Sequence, residues 1–319
     1  MLRYFIRRLV LMIPILLAVM LIIFLIMKLT PGDPALIILG EGASAEAYEA
    51  VREELGLNDP IPVQFFNYLI RALQGDFGSS YKNSKPVLNE IASRLPTTLK
   101  LALITTLMTI IFGITLGILT ALKQYSVFDI TAVSLALIIT AVPSFFAAIL
   151  LIILFTLKLK WLPMVGLTTI KHYIMPSIAL SSSYIAGMLR MTRSSMLEVM
   201  RQDYVRTAKA KGANKTQRVI HHQLRNALLP SVTILGIEFG QIVGGAIIVE
   251  QVFAIPGLGS LLISAVQGKD MPVVMGCVLF SSVAVSVGAL LTDLAYTIID
   301  PRLITHFSLT RRRKKVEYE

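Results

Sequence analysis

The 319-residue chain is 55% hydrophobic and only 15% charged, whereas soluble domains carry about 25% charged residues. That balance excludes an ordinary soluble domain and implies a membrane protein. The net charge of +11 invites a nucleic-acid reading that the placement of the charges argues against, and the single cysteine, Cys277, excludes an intramolecular disulfide.

Arg3, Arg7 and Arg8 precede an apolar run over 9–27, long enough to cross a hydrocarbon core of ~30 Å. It lacks the short apolar region and small-residue cleavage site of a signal peptide, so it reads as a retained first helix. Residues 31–96 are mixed and polar. Ala47, Val51 and Leu55 mark one amphipathic helix, Phe65 to Leu73 a second, and Val87, Ile91 and Leu95 a third. Five further apolar runs follow, over 97–122, 130–157, 176–193, 229–251 and 272–299. The run from Pro176 is short before Arg190, and spans only if its helix continues into the charged stretch beyond. Pro143 frees a backbone carbonyl within the third run and predicts a kink there.

The pattern predicts an all-α membrane protein of six transmembrane helices, with both termini cytoplasmic and a small helical region outside. Its divisions are an N-terminal segment with the first helix (1–30), the external region (31–96), a five-helix core (97–300) with a cytoplasmic loop at 194–228, and a basic tail (301–319). Charge supports that orientation. Of the 30 Lys and Arg, 19 fall on the proposed cytoplasmic side, as the positive-inside rule requires. The basic excess then reflects topology, with no nucleic acid as partner. Arg311 to Lys315 forms either a stop-transfer tail or a contact to anionic lipid.

The one long, strongly charged segment between membrane-grade runs is 203–230. Met196, Met200, Tyr204 and Ala208 recur at every fourth position and predict one stripe on a first helix. Gly212 supplies a helix stop, and Asn214 with Gln217 is a near-variant of the capping box that opens a second helix. A helix–glycine–helix on a membrane floor is a rigid knob, and a knob suggests a socket on a soluble partner.

Two blocks here, Arg206 to Gly212 (RTAKAKG) and Leu224 to Pro230 (LRNALLP), resemble the EAA loop of ABC-importer permeases. Arg206 and Thr207 stand where that pattern has Glu and its first Ala, while Ala208 and Gly212 are kept; this variant resembles the peptide- and nickel-importer permeases. TPGDPA (30–35), LGLNDP (55–60), GDFG (75–78), EQVFAIPGLG (250–259) and DPR (300–302) extend the resemblance over nearly the whole chain. The resemblance implies a type I importer fold whose loop docks as coupling helices in a cleft of a separate ATPase subunit. It implies a homologous second permease, two ATPase subunits holding ATP and magnesium, and an external substrate-binding protein, in the cytoplasmic membrane of a prokaryote. The chain itself would bind no cofactor and catalyse nothing. The docking candidates are Asp203, Tyr204, Arg206, Thr207, Ala208, Lys209 and Gly212. Peptides lead as substrate, with nickel chelates, glutathione and opine-like compounds open.

Helix 5 carries Gly236, Gly240 and Gly244 at four-residue spacing, beside Gly245. Small residues on one face allow close helix approach, either within the subunit or towards a partner; the resemblance implies that helix 5 lines the translocation path. Glu238 and Gln241 support a path, because a carboxylate in hydrocarbon costs several kcal/mol, of the order of 3, unless it faces water or a partner. Glu250 lies near the external helix end, solvated or on the path. Asp293 is expected to pair with a basic residue of 190–225. His221 and His222 are adjacent, point to different sides of a helix and make a poor metal pair. No phosphate-loop, H-E-x-x-H or G-x-S-x-G pattern occurs. Two other classes remain: a secondary transporter, for which no inverted repeat is evident, and an intramembrane enzyme, for which no catalytic constellation is evident.

Overall fold

A computed structural model of the chain describes residues 2–40, 42–166 and 169–299. Its elements are helices throughout: α1 (Leu2–Leu29), α2 (Pro34–Leu39), α3 (Ala45–Glu54), α4 (Ile61–Leu73), α5 (Val87–Leu122), α6 (Val127–Ala141), α7 (Ser144–Lys158), α8 (Lys171–Met200), α9 (Asp203–Ala210), α10 (Lys215–Ala227), α11 (Leu229–Val252), α12 (Leu258–Gln267) and α13 (Met271–Ile299). Stretches within α1, α5 and α13 are each long and apolar enough to cross a membrane unbroken, and two further candidates are bent pairs, α6 with α7 and α10 with the first part of α11.

The centre of the bundle is α8. Its 30 residues reach about 45 Å at 1.5 Å per residue, so the short run from Pro176 does continue into the charged stretch. It packs against α5, α6, α7 and α11, and buries Ser177, Ser181, Thr192 and Ser195 along its length. Polar side chains are tolerated there because other helices, not lipid, surround them; Thr192 exchanges a hydrogen bond with Ser231 of α11 at 3.0 Å. Close approach of α5 to α8 is made by two glycines. A Cβ at Gly113 would stand 2.6 Å from Met188 Cβ, and one at Gly117 2.8 Å from the Leu189 carbonyl oxygen.

Two expectations are corrected. The third apolar run does not kink at Pro143 but breaks: Val142 is extended, Pro143 sits as the N-cap of α7, and the two halves meet at 103°. Proline disfavours helical geometry in the residue before it, so the interruption begins at Val142. The third helix expected within 31–96 is not separate either. It is the first part of α5, which runs through Pro96 as one helix.

At the start of α6, Ser126 accepts from the Asp129 amide at 3.2 Å. The Asp129 carboxylate, 2% exposed, receives Arg193 Nε at 2.6 Å, Arg193 Nη2 at 2.7 Å and the Tyr125 amide at 2.9 Å. A forked pair of this kind fixes α6 to α8 at the end where α8 runs on towards α9. At the opposite end, α2–α4 sit over the bundle. Asp33 caps α2 and pairs with Arg52 at 2.8 Å, and Phe65 of α4 meets Phe24 of α1 edge-on over Met275 of α13. Asp270, at the start of α13, accepts from Ser80 Oγ and, at 3.2 Å, from the Tyr81 amide. The DPR block, the basic tail with Arg311 to Lys315, and the side chain of Asp293 lie outside the described residues.

Because a buried charge left without its partner costs more than the pair contributes, Arg193→Leu is expected to destabilise the protein by about 3–5 kcal/mol. Adding Asp129→Leu should restore much of that loss. Thermal unfolding of the two variants in detergent measures both, and equal melting temperatures for parent and Arg193→Leu would refute the role assigned to the pair.

Candidate functional site

The first helix expected for the knob, with one stripe from Met196 to Ala208, is two helices in the structure. α8 ends at Met200, the chain turns through Arg201 and Gln202, and α9 begins at Asp203. Met196, Met200, Tyr204 and Ala208 therefore do not share one stripe. Met196 is in the core and Ala208 is buried with Val205, whereas Tyr204 is 40% exposed. Ala208 thus seats α9 on the protein rather than presenting itself to a partner, because its small side chain faces inward.

Asp203, Arg206, Thr207, Lys209 and Gly212 are exposed. Arg206 lies 3.6 Å from Asp203 across open solvent, a pair of little energetic weight, and the Thr207 hydroxyl donates to the Asp203 carbonyl at 3.0 Å. Gly212 adopts φ +88°, and a Cβ there would meet nothing within 4 Å; the backbone alone calls for glycine. The capping box forms in full: the Gln217 amide donates to Asn214 Oδ1 at 2.8 Å and the Asn214 amide to Gln217 Oε1 at 3.1 Å. Asn226 Nδ2 donates to the Tyr204 hydroxyl at 2.8 Å, closing α9 onto the end of α10. Beneath the knob Ala121, Met196, Val199 and Ala227 form one buried cluster with Leu122, Val219 and Leu224 around it. That cluster joins the knob to α5 and α8 by packing.

The residues predicted as one path set divide between different faces of α11. Thr233, Ile237, Gln241, Gly244 and Ile248 are exposed and recur at helical spacing, so Gln241 and Gly244 lie on an open stripe. Gly236 and Gly240 are committed to packing within the chain, since Cβ atoms there would stand 2.6 Å from Thr292 and 2.9 Å from Val285 of α13. Glu238 is 8% exposed and turned towards α8, its Oε1 3.8 Å from where a Cβ on Gly187 would lie. Its Oε2 has no hydrogen-bond partner among the described residues.

Glu250 is not solvated at a helix end; it is fully buried. The Thr98 hydroxyl donates to its Oε1 at 2.5 Å and the Ser260 amide to its Oε2 at 3.0 Å, while Thr98 Oγ1 accepts from the Leu258 amide at 2.8 Å. A carboxylate and a hydroxyl so placed satisfy the first free N–H groups of α12 and meet the positive end of its dipole. Glu250 therefore staples α12 to α5 and α11 rather than lining a path. Thr98, Ser260, Asp129 and Arg193 escaped sequence reading. The glycines at 257 and 259 were the one available signal, because both are needed where the Glu250 carboxylate lies close to the backbone.

The profile of the family described as "Binding-protein-dependent transport system inner membrane component" matches residues 113–305, and that of its N-terminal companion matches residues 1–102. The glutathione transport system permease protein GsiC of Pectobacterium atrosepticum is 43% identical over 303 residues, covering 95% of this chain and 99% of that protein. A putative peptide transport system permease protein of Brucella suis is 44% identical over 299 residues, covering 91% and 95%. A crystal structure of an amino acid ABC transporter with histidines aligns with a TM-score of 0.49 at 18% identity, covering 67% of this chain and 94% of that one.

The staple gives a direct test. A Cβ on Gly257 would fall 2.2 Å from the Glu250 carboxyl carbon, so Gly257→Ala must displace that side chain. Disturbing a buried hydrogen-bonded carboxylate is expected to cost about 1–3 kcal/mol, read as a lowered unfolding temperature. An unchanged unfolding temperature would show that α12 does not depend on Glu250.

Proposed function

The chain belongs to the binding-protein-dependent transport system inner membrane component family, and from that premise we propose how it works as the permease subunit of an ABC importer for peptides or glutathione. The observation that carries the reading is the match along nearly the full chain to peptide and glutathione permeases. It crosses the inner membrane of a prokaryote six times, by α1, α5, the α6–α7 pair, α8, α11 and α13. The basic knob faces the cytoplasm with both termini, in keeping with the distribution of Lys and Arg. α2–α4 and α12 face outward.

The open stripe of α11, with Gln241 and Gly244, lines the translocation path against a homologous second permease. Exposed Asp203, Tyr204, Arg206, Thr207 and Lys209, arranged around Gly212, enter a cleft on one of two ATPase subunits. ATP and magnesium belong to those subunits, and this chain is the non-catalytic membrane part. When the ATPases close, the knob is carried inward. The cluster of Ala121, Met196, Val199 and Ala227 passes that displacement to α5 and α8, and α8 to α11, reorienting the path. An external binding protein selects the peptide or glutathione and delivers it to the outer face.

The test is the purified transporter in nanodiscs, with hydrolysis and uptake measured against loaded binding protein. The parent should respond to a peptide- or glutathione-loaded binding protein. Gly212→Val, which strains the backbone at positive φ by about 1–2 kcal/mol without any side-chain clash, should leave assembly and basal hydrolysis intact but break coupling, while Gly212→Asn should retain it. Full coupled uptake by Gly212→Val would overturn the docking reading.

A further inference from the structure

Between α4, α3 and the upper ends of α1 and α13 lies a cavity of about 590 Å³. Nothing in the permease mechanism above uses it. Its size falls within the range of small-molecule sites, and charged groups of both signs line it. α1 and α4 contribute Lys28, Tyr68 and Arg71; α3 and the turn after it contribute Glu53, Glu54 and Asp59, and Asp76 follows α4.

Two of these donors lack an acceptor among the described residues. The Lys28 ammonium stands over the Phe24 ring, 5.9 Å from its centroid, and makes no ion pair among the described residues; Asp33, the acid whose charge acts on it, is already held by Arg52 at 2.8 Å. The Tyr68 hydroxyl is shielded from solvent and has no hydrogen-bond partner among the described residues. Burial pushes it up from its ordinary value, so it remains a donor. Arg71, one turn beyond Tyr68 on the same face of α4, also lacks an ion pair among the described residues. A shielded hydroxyl and a half-buried ammonium without acceptors in one cavity call for an anionic group, and the exposed acids of the same lining suit a cationic one.

We propose that this cavity is a binding site for a small zwitterion: a short peptide, carboxylate towards Lys28, Tyr68 and Arg71, ammonium towards Glu53, Glu54 and Asp59. The choice of peptide, and the outward position of the cavity, rest on the importer reading. The site would hold substrate at the outer face, apart from the path along α11.

The test is equilibrium binding of radiolabelled Ala-Phe to the complete transporter in nanodiscs without binding protein, with Ala-Phe amide and N-acetyl-Ala-Phe as competitors. Saturable binding is expected. Replacing the carboxylate by the amide, or Lys28→Met, should weaken it about tenfold, as loss of a charge-assisted contact does, and Tyr68→Phe about threefold. Acetylation should also weaken it. Absence of saturable binding to the parent, or binding indifferent to the amide and to both substitutions, would overturn the proposal. Hydrolysis driven by loaded binding protein is measured on the same preparations. Its absence in the parent would sink the importer reading, whereas Ala-Phe binding with the stated dependences would still support the site.

Discussion

The structure depends on enclosing a helix that lipid would not accept. α8 carries serines and threonines along its buried length and a charged arginine at 193, and in hydrocarbon each such group would need a partner or a high price in free energy. The surrounding helices exist in this arrangement to supply that cover. α5 reaches it through glycines at 113 and 117, α6 neutralises Arg193 with Asp129, and α11 meets Thr192 with Ser231. Because α8 is enclosed, it can also run past the membrane core and lead through Arg201 and Gln202 into the knob. One element thus links the polar interior to the knob.

That arrangement explains why the knob is rigid. Its two arms are short, and helices of eight and fewer than fifteen residues are marginal alone in water. They hold here through burial of Val205 and Ala208, the capping box at Asn214 and Gln217, and the Tyr204–Asn226 bond. The two arms are thereby fixed to one another and to the helices beneath. The exposed side chains can then vary in charge without loosening the support beneath them.

What was legible in the sequence follows from the range of the interactions involved. Local signals held: Gly212 with its positive φ, the Asn214–Gln217 box, and the helices over 45–54 and 61–73 were each specified within a few residues. Apolar runs located the spans but not their continuity, because the break at Val142–Pro143 and the passage of α5 through Pro96 depend on what packs beside each proline. The faces of α11 were unreadable for the same reason. Gly236 and Gly240 differ from Gly244 only in having Thr292 and Val285 opposite. Ala208 read as a contact surface because small residues suit both docking and burial, and only the fold distinguishes them.

The acids show the same distinction most sharply. Asp129, Glu250 and Asp270 all lie near helix ends, where solvent would be an adequate partner. Instead each is buried and satisfied by the chain itself: Asp129 by a guanidinium, Glu250 by a hydroxyl and the amides that open α12, Asp270 by Ser80 and the Tyr81 amide. A carboxylate so held is partnered by the chain itself, and these three positions set helix geometry. The surfaces free to act on something else are those whose polar groups the fold leaves unpaired. Among the described residues, the exposed edge of the knob and the cavity above α1 are such surfaces, at opposite ends of the same bundle, and Glu238 on α11 is a further position with an unpaired oxygen.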